Sequence, residues 1–549
     1  MSAQNQRTTQ APFLRWIFWG LMGLALGLLL FHLSVYIAYT VNLVNFPFDY
    51  DQGEGFELVD VQLFSQGKFP YQDTEVYPFY SSNYPPLFHL IPVPLMWLFG
   101  VDYGYARVLA SLITALTAGL IGYAVYRDGG RNRWLAVLSG LAYLGSNTIY
   151  HIAPLFRQHF SMILFEVAAA VILAGAVTQT RPAARWRGIA LGLLMLLCAG
   201  YTKQLAVWTA VGLLIFLLVR NPRRAILAGA IFALVGGAIF AWLYFGSNGE
   251  WWKQAIAANI NEYIPTQMTG LLRVWWQLHW ALIVPAVIYI AYEVYFERIS
   301  AYSVLFLFSL PNVFAAGKWG AGDSYYATTI AATCILAGLC LARLWRGDFQ
   351  LGRWLAGQRV WHPALMLLIP ALFVAYGVST VKLPTNIPVY REIAQLLNLT
   401  PNAPRHLDPK TFYDSAGREV GGYADIGHFT TPEDATAGWQ LVELLRTTEL
   451  PVITEDASFS LLAGKQVVTN PTQLRNLWLN GMFEGDALYA MVLNQEFGFI
   501  VYRAAFYPQD FLNAVATAYI VDDSASIRMN GFNYVVFRPN PDYPPEDVP

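Results

Sequence analysis

The sequence predicts a polytopic α-helical membrane protein of about eleven transmembrane helices, followed by a soluble α/β domain at its C-terminal end. Three observations carry that expectation. Of 549 residues, 56% are hydrophobic and only 13% charged, whereas charged residues make up about a quarter of an ordinary soluble chain. Apolar runs of the kind needed to cross roughly 30 Å of hydrocarbon as helices, about twenty residues each, recur along the chain as far as residue 381. After Lys382 the composition becomes that of a soluble domain, which divides the chain into 1–382 and 383–549.

In order, the runs are approximately 13–40, 103–126, 134–151, 159–178, 188–202, 205–220, 225–245, 279–296, 301–316, 325–343 and 362–381. A further run, 87–99, is short and holds Pro92 and Pro94, so a re-entrant or interfacial helix fits it better than a span. Loop charge decides between eleven and twelve crossings. With eleven and the N-terminus inside, the cytoplasmic loops hold Arg127, Arg131 and Arg133, then Arg181, Arg185 and Arg187, then Arg220, Arg223 and Arg224, then Arg343, Arg346, Arg353 and Arg359. The opposite loops carry Lys68, Arg157, Lys203, Lys253, Arg273 and Lys318 singly. A twelfth crossing would invert this bias, so the positive-inside rule favours eleven. The long first loop, 41–101, and the C-terminal domain then face outward from an inner or plasma membrane. The first run is too long for a signal-peptide core and lacks a small-residue cleavage site, so it reads as an anchor.

A net charge of -2 leaves no basic face to neutralise a phosphate track, which argues against a nucleic-acid partner. Cys198, Cys334 and Cys340 all lie in apolar runs, so no disulfide framework is expected. In the C-terminal part, β runs at 451–456, 465–470, 498–504 and 533–539 alternate with helical stretches at 434–447, 471–480, 486–496 and 509–519, a pattern of a small α/β domain. Asp425, His428, Glu455 and Asp456 there read as solvated loop residues, and the Asn398-Leu399-Thr400 sequon as incidental before Pro401.

Chemistry-bearing residues gather at the ends of the spans that face outward. Loop 41–101 is far longer than most connections, which marks it as functional rather than connective. It opens with Tyr50-Asp51-Gln52-Gly53-Glu54-Gly55-Phe56-Glu57 and closes on Asn83-Tyr84-Pro85-Pro86-Leu87. Asp51 and Glu54 share a face if this stretch is helical. Phe156-Arg157-Gln158-His159, Tyr201-Thr202-Lys203-Gln204 and the segment from Gly317 through Lys318 to Tyr325 and Tyr326 follow at other span ends. Any one of these cations could simply snorkel to the interface. Together they read as an anion site beside carboxylates, and helix N-termini near His159 and Tyr325 would favour a phosphate there.

The order of these motifs resembles a known family. A long first span, an acidic motif, the Gln66–Asp73 segment with a turn near Gly67, Phe69, Tyr71 and Asp73, then Tyr84-Pro85-Pro86-Leu87 looks like the first outer loop of the GT-C glycosyltransferases that use polyprenyl-phosphate sugars. Protein O-mannosyltransferases and lipid A aminoarabinose transferases are among them. The resemblance extends to Arg157, to Thr202-Lys203-Gln204 and to Gly320–Tyr326, covering roughly residues 10–345. It implies a GT-C-like fold and a transferase that moves a sugar from a polyprenyl-phosphate donor to a hydroxyl or amine of a glycan, lipid or protein acceptor, inverting the anomeric centre.

The same resemblance implies roles. Asp51 and Glu54 would be the catalytic acids: Asp51 is assigned as the general base with Glu54 orienting the acceptor or sharing a cation, and the spread of the motif as Asp51-x-x-Glu54 leaves Glu54 open as the base instead. Arg157, Lys203, Lys318 and Tyr325 would hold the donor phosphate, which leaves as an anion and needs charge rather than a proton. Tyr84, Pro85, Pro86 and His89 would shape the loop and the acceptor side. Many bacterial relatives carry Arg-x-Asp where this chain has Arg157-Gln158-His159. A neutral imidazole can still ligate a divalent metal cation but brings one negative charge fewer, so His159 is the metal ligand to test and metal dependence is open. Two other classes fit the composition: a transporter or flippase for a lipid-linked or anionic solute, and a non-catalytic assembly subunit. Transporter sites tend to lie near the midplane within inverted repeats, and no such repeat stands out in the sequence.

Overall fold

The computed structural model describes residues 12–349, 364–381, 383, 387–397 and 428–543. Lys382, Asp425, the 398–400 sequon, Arg353 and Arg359 fall outside the described residues.

Among the described residues, seven helices are long and apolar enough to cross a membrane: Phe13–Val44, Tyr103–Asp128, Gln158–Thr178, Pro182–Thr202, Pro222–Gly246, Pro265–Phe296 and Asp323–Arg346. Shorter apolar helical stretches lie at Gln204–Arg220, Ala301–Ala315 and Ala364–Ser379, and the run near 134–151 is broken into Arg133–Gly145 and Asn147–Ile152. Residues 87–99 form two short helices, Leu87–Leu90 and Val93–Phe99, interrupted at Ile91 and Pro92. The centre of the bundle is Ala327–Arg346, buried along nearly its whole length. Its small residues explain how: a Cβ on Gly338 would lie 2.7 Å from Val125 and closer still to Ser139, so only glycine admits that approach of helices. Close packing of small residues substitutes for the hydrophobic drive that lipid removes.

The C-terminal part is a small mixed sheet flanked by helices. Its strands are β1 (Val452–Thr454), β2 (Phe499–Tyr502), β3 (Tyr519–Val521), β4 (Ile527–Met529) and β5 (Phe532–Pro539), in the order β1-β2-β5-β3 with β4 also on β5. Only β1 and β2 run parallel, joined through three helices. A two-residue turn, Asn530-Gly531, connects β4 to β5 with both φ values positive, the geometry that matches strand twist and that Asn-Gly adopts readily.

One expected strand is absent. Residues 465–470 pair with no strand. Val467 instead packs with Phe56, Val59 and Tyr80 of the first loop, and Val468 with the sheet-side core. The same stitching recurs where Phe46 and Phe48 share a core with Leu441, Val442 and Phe459. The C-terminal part is thereby seated directly on loop 41–101.

Glu455 and Asp456 also depart from expectation, being buried rather than solvated. Glu455 accepts from four successive backbone N–H groups, Arg503 to Phe506, at 2.6–2.9 Å. Asp456 pairs with Arg503 at 3.1 Å and accepts from the Tyr534 hydroxyl at 2.6 Å. His428 meets the Tyr50 hydroxyl at 3.2 Å, a contact between the C-terminal part and the loop.

Candidate functional site

The acidic motif folds in two parts. Asp51 precedes the helix Gly53–Ser65, for which Gln52 is the N-cap, so the assumption that Asp51 and Glu54 lie on one helical face fails. Glu54 turns inward and is completely buried. One oxygen accepts from Arg107 Nε at 3.0 Å and from the Phe156 N–H at 2.9 Å; the other accepts from Arg107 Nη2 at 2.8 Å and the Tyr50 N–H at 3.2 Å. Arg107 also donates to the carbonyls of Leu43, Phe46 and Phe48. Burial alone would raise the Glu54 carboxyl, but Arg107 outweighs it and holds it below the usual carboxylate range. Glu54 is therefore a tie between the first loop and the bundle, away from the cavity that Asp51 lines.

That cavity, about 270 Å³, is bordered by Asp51, Gly53, Glu57, Tyr84, Arg157, Lys203, Lys318 and Tyr325. Asp51 meets Arg157 Nε at 3.4 Å, each side chain 20% exposed. The guanidinium lies across Gly53 so closely that a Cβ there would overlap it. Gly55 serves the other side of the helix, where a Cβ would come within 2.6 Å of the buried Asp49 carboxylate. Lys203 Nζ stands 4.4 Å over the Tyr84 ring and 5.7 Å over that of Tyr325. Burial, reinforced by Arg157, holds the Lys203 ammonium well below the ordinary lysine range, and burial lowers Lys318 too. Both lysines lack a carboxylate within ion-pair distance among the described residues; Lys318 donates to the Asn259 carbonyl. Three basic side chains thus converge on a cavity that two carboxylates, Asp51 and Glu57, also line.

Glu57, one turn beyond Gly53, is the carboxylate that the motif reading passed over. In the amide orientation that satisfies both ends, Gln158 donates to Glu57 at 3.0 Å and accepts from Lys203 at 3.0 Å and Tyr84 at 3.1 Å. Behind Glu57, the buried His89 imidazole pairs closely with it and stands 3.5 Å from Asp60. Burial lifts the Asp60 carboxyl to about 7, against the pull of His89, Ser82 and Tyr80. Pro85 and Pro86 are buried where the chain enters the Leu87–Leu90 helix that carries His89. His89 is thus a support for Glu57, not a lining residue.

His159 does not fit a metal. Its Nδ1 faces Lys203 Nζ at 3.5 Å and its Nε2 faces the Ser324 hydroxyl at 3.2 Å, and a cation placed there would be repelled by Lys203 and Arg157. Glu57, Asp60 and His89 are the described residues whose donor atoms stand close enough for a metal, within 4.8 Å of one another. In this arrangement the imidazole sits between the carboxylates where a cation would.

The remaining lining residues carry no charge signal that sequence reading could detect. Asn470, Thr472 and Asn476 come from the C-terminal part, Asn259 and Asn261 from the connection before Pro265–Phe296, with Trp319 beside them. The helix Pro471–Leu479 is clasped onto the loops by three amides: Asn470 donates to the Ser81 carbonyl, Gln473 to that of Gln254 and Asn480 to that of Ile260.

Solved structures resemble this arrangement along nearly the whole chain. ArnT from Cupriavidus metallidurans in the apo state superposes with a TM-score of 0.57 at 15% identity, over 93% of this chain and 98% of that one. The chain has the fold of ArnT. ArnT bound to undecaprenyl phosphate matches with a TM-score of 0.53 at 15% identity, over 94% and 99% of the two chains. An Archaeoglobus fulgidus oligosaccharyltransferase tethered with an acceptor peptide gives 0.44 at 12% identity, over 94% of this chain and 74% of its own. No family model and no curated protein sequence matches. The resemblance read from the loop motifs is thus matched at the level of the fold.

Proposed function

We propose that the protein transfers a sugar from a polyprenyl-phosphate donor to an acceptor hydroxyl or amine. The observation that carries this reading is the meeting of Asp51, Arg157, Lys203 and Lys318 around one cavity in a chain with the ArnT fold, one relative of which is bound to undecaprenyl phosphate. The acceptor attacks the anomeric carbon of the donor sugar while Asp51 takes its proton. The bond between that carbon and the phosphate oxygen breaks, and the lipid phosphate keeps the electron pair. Arg157, Lys203 and Lys318 stabilise the anion as it leaves, with Tyr84 and Tyr325 flanking Lys203. Displacement from the face opposite the phosphate inverts the anomeric configuration. Glu57, held by Gln158 and His89, takes the acceptor-orienting part first given to Glu54, which is committed to Arg107.

The Arg-rich loops support eleven crossings with the N-terminus inside, and with the cavity and the domain from residue 383 onward outside. Single-cysteine labelling of intact cells should reach residues 45–85 and 428–543 and miss 127–133 and 181–187; the reverse labelling would overturn this topology. The chemistry is tested by assaying transfer from a polyprenyl-phosphate sugar. Asp51→Asn should lower turnover about 10²–10⁴-fold with donor binding retained. Normal turnover in Asp51→Asn and its loss in Glu57→Gln would move the base to Glu57, and normal turnover in both would end the transferase reading.

A further inference from the structure

Two buried amide oxygens beside the cavity have no hydrogen-bond donor among the described residues: Oδ1 of Asn261 and Oδ1 of Asn476. Their orientation is set by neighbouring carbonyls, which can only accept. Asn261 Nδ2 donates to the Trp319 carbonyl at 3.0 Å, leaving its oxygen over. Gln473 Nε2 must face the Gln254 carbonyl at 2.7 Å, so Gln473 Oε1 faces Asn476 and selects its Nδ2, at 3.5 Å. The Asn476 oxygen is left over in the same way. Buried acceptors without donors are uncommon in folded proteins and ask for an explanation; here both residues border one cavity and come from two different parts of the chain.

We infer that Asn261 and Asn476 read the sugar of the donor, and that this sugar is an uncharged, polyhydroxylated monosaccharide. The inference rests on the transferase reading and adds its substrate class. Hydroxyl groups supply the donors that both oxygens lack. Lys318 joins this wall to the phosphate site, since its ammonium donates to the carbonyl of Asn259, two residues before Asn261; the group read by the wall is therefore the one attached to the phosphate. A cavity of about 270 Å³ lies below the usual range for drug-sized ligands, which suits a single sugar ring. The lining carboxylates, Asp51 and Glu57, are engaged by Arg157 and by Gln158 and His89. An amino sugar would add an ammonium beside Arg157, Lys203 and Lys318, and a uronic acid would set a carboxylate against two amide oxygens.

The test measures binding of three lipids to the full-length protein in nanodiscs: undecaprenyl phosphate, its neutral hexosyl derivative and its aminopentosyl derivative. The wild type should bind the hexosyl lipid at least tenfold more tightly than the aminopentosyl lipid. Asn476→Leu and Asn261→Leu should each lose about tenfold for the hexosyl lipid, the scale of one hydrogen bond, and keep their affinity for undecaprenyl phosphate. Asn476→Asp keeps the shape and adds a negative charge, so its preference should swing toward the aminopentosyl lipid, a gain that misfolding cannot produce. Unchanged hexosyl binding in both leucine variants, or an aminopentosyl preference in the wild type, overturns the inference while leaving the transferase reading intact. A wild type that binds none of the three lipids overturns the transferase reading and this inference with it.

Discussion

Asp51 and Glu54 stand three residues apart, each beside an arginine, and have opposite surroundings. Glu54 and Arg107 are sealed from solvent, and every donor or acceptor around them is used: both carboxylate oxygens are filled, and the guanidinium also binds three carbonyls. Asp51 and Arg157 meet at 3.4 Å with a fifth of each side chain exposed, at the edge of a cavity. A saturated buried pair has nothing left to offer a substrate. A looser pair on a cavity wall can exchange its partner for a ligand, and that difference assigns structure to one acid and chemistry to the other.

The sharpest way to break this comparison is to remove one arginine from the buried pair. Arg107→Met leaves Glu54 buried without a counter-charge, which should cost about 3–5 kcal/mol, so the variant should melt far below wild type in detergent or fail to accumulate. Glu54→Met combined with Arg107→Met removes both charges and should recover much of that loss, because replacing a buried pair by apolar side chains is often close to neutral. Asp51→Asn should melt within a few degrees of wild type while losing turnover. Equal melting temperatures for Arg107→Met and Asp51→Asn would dissolve the distinction.

A smaller effect should come from the two glycines between these acids. Gly53→Ala places a methyl where the Arg157 guanidinium lies, so the arginine must move; displacement by about an ångström at a site of this kind costs roughly 10²-fold in rate. Gly55→Ala meets the Asp49 carboxylate and Ala457 instead, and should register in melting temperature more than in turnover. Steady-state transfer assays and thermal scans of the two variants, side by side, test whether the motif's glycines divide their work as its acids do.

The helical membrane fold is legible in the sequence because apolar length is summed over many residues, and no single contact decides it. Arg157, Lys203 and Lys318 are legible for a related reason: a cation at the end of an apolar run must find water, headgroups or an anion. Glu54 was misjudged because the register of a helix depends on where it begins, and the start at Gly53 excludes Asp51. Arg107 is one arginine inside an apolar helix, and its partner lies 53 residues away in sequence. Asn261 and Asn476 leave no trace at all, since an amide is as common on a surface as in a site. The failure of 465–470 to pair follows from Val467 packing on another part of the chain.

The smallest predicted effect separates the two regions by pH. Glu54 is held below the ordinary carboxylate range and Arg107 is an arginine, so their pair stays charged through the alkaline range and should not respond. Lys203 and Lys318 are held below the ordinary lysine value of 10.5, so between their lowered pKa values and 10.5 the folded protein binds fewer protons than the unfolded chain. The sign follows from proton linkage: stability rises with pH through that window, because the cost of burying two ammonium groups is relieved as they lose protons. Lipid phosphate needs the ammonium form, so binding takes up protons there and affinity falls as pH rises, by up to about tenfold per unit for each lysine. Measured on one sample, melting temperature and undecaprenyl-phosphate affinity should therefore move in opposite directions above neutral pH. Lys203→Arg, whose charge does not titrate, should flatten the affinity curve. Affinity that holds level while the melting temperature rises would mean that neither lysine faces the phosphate.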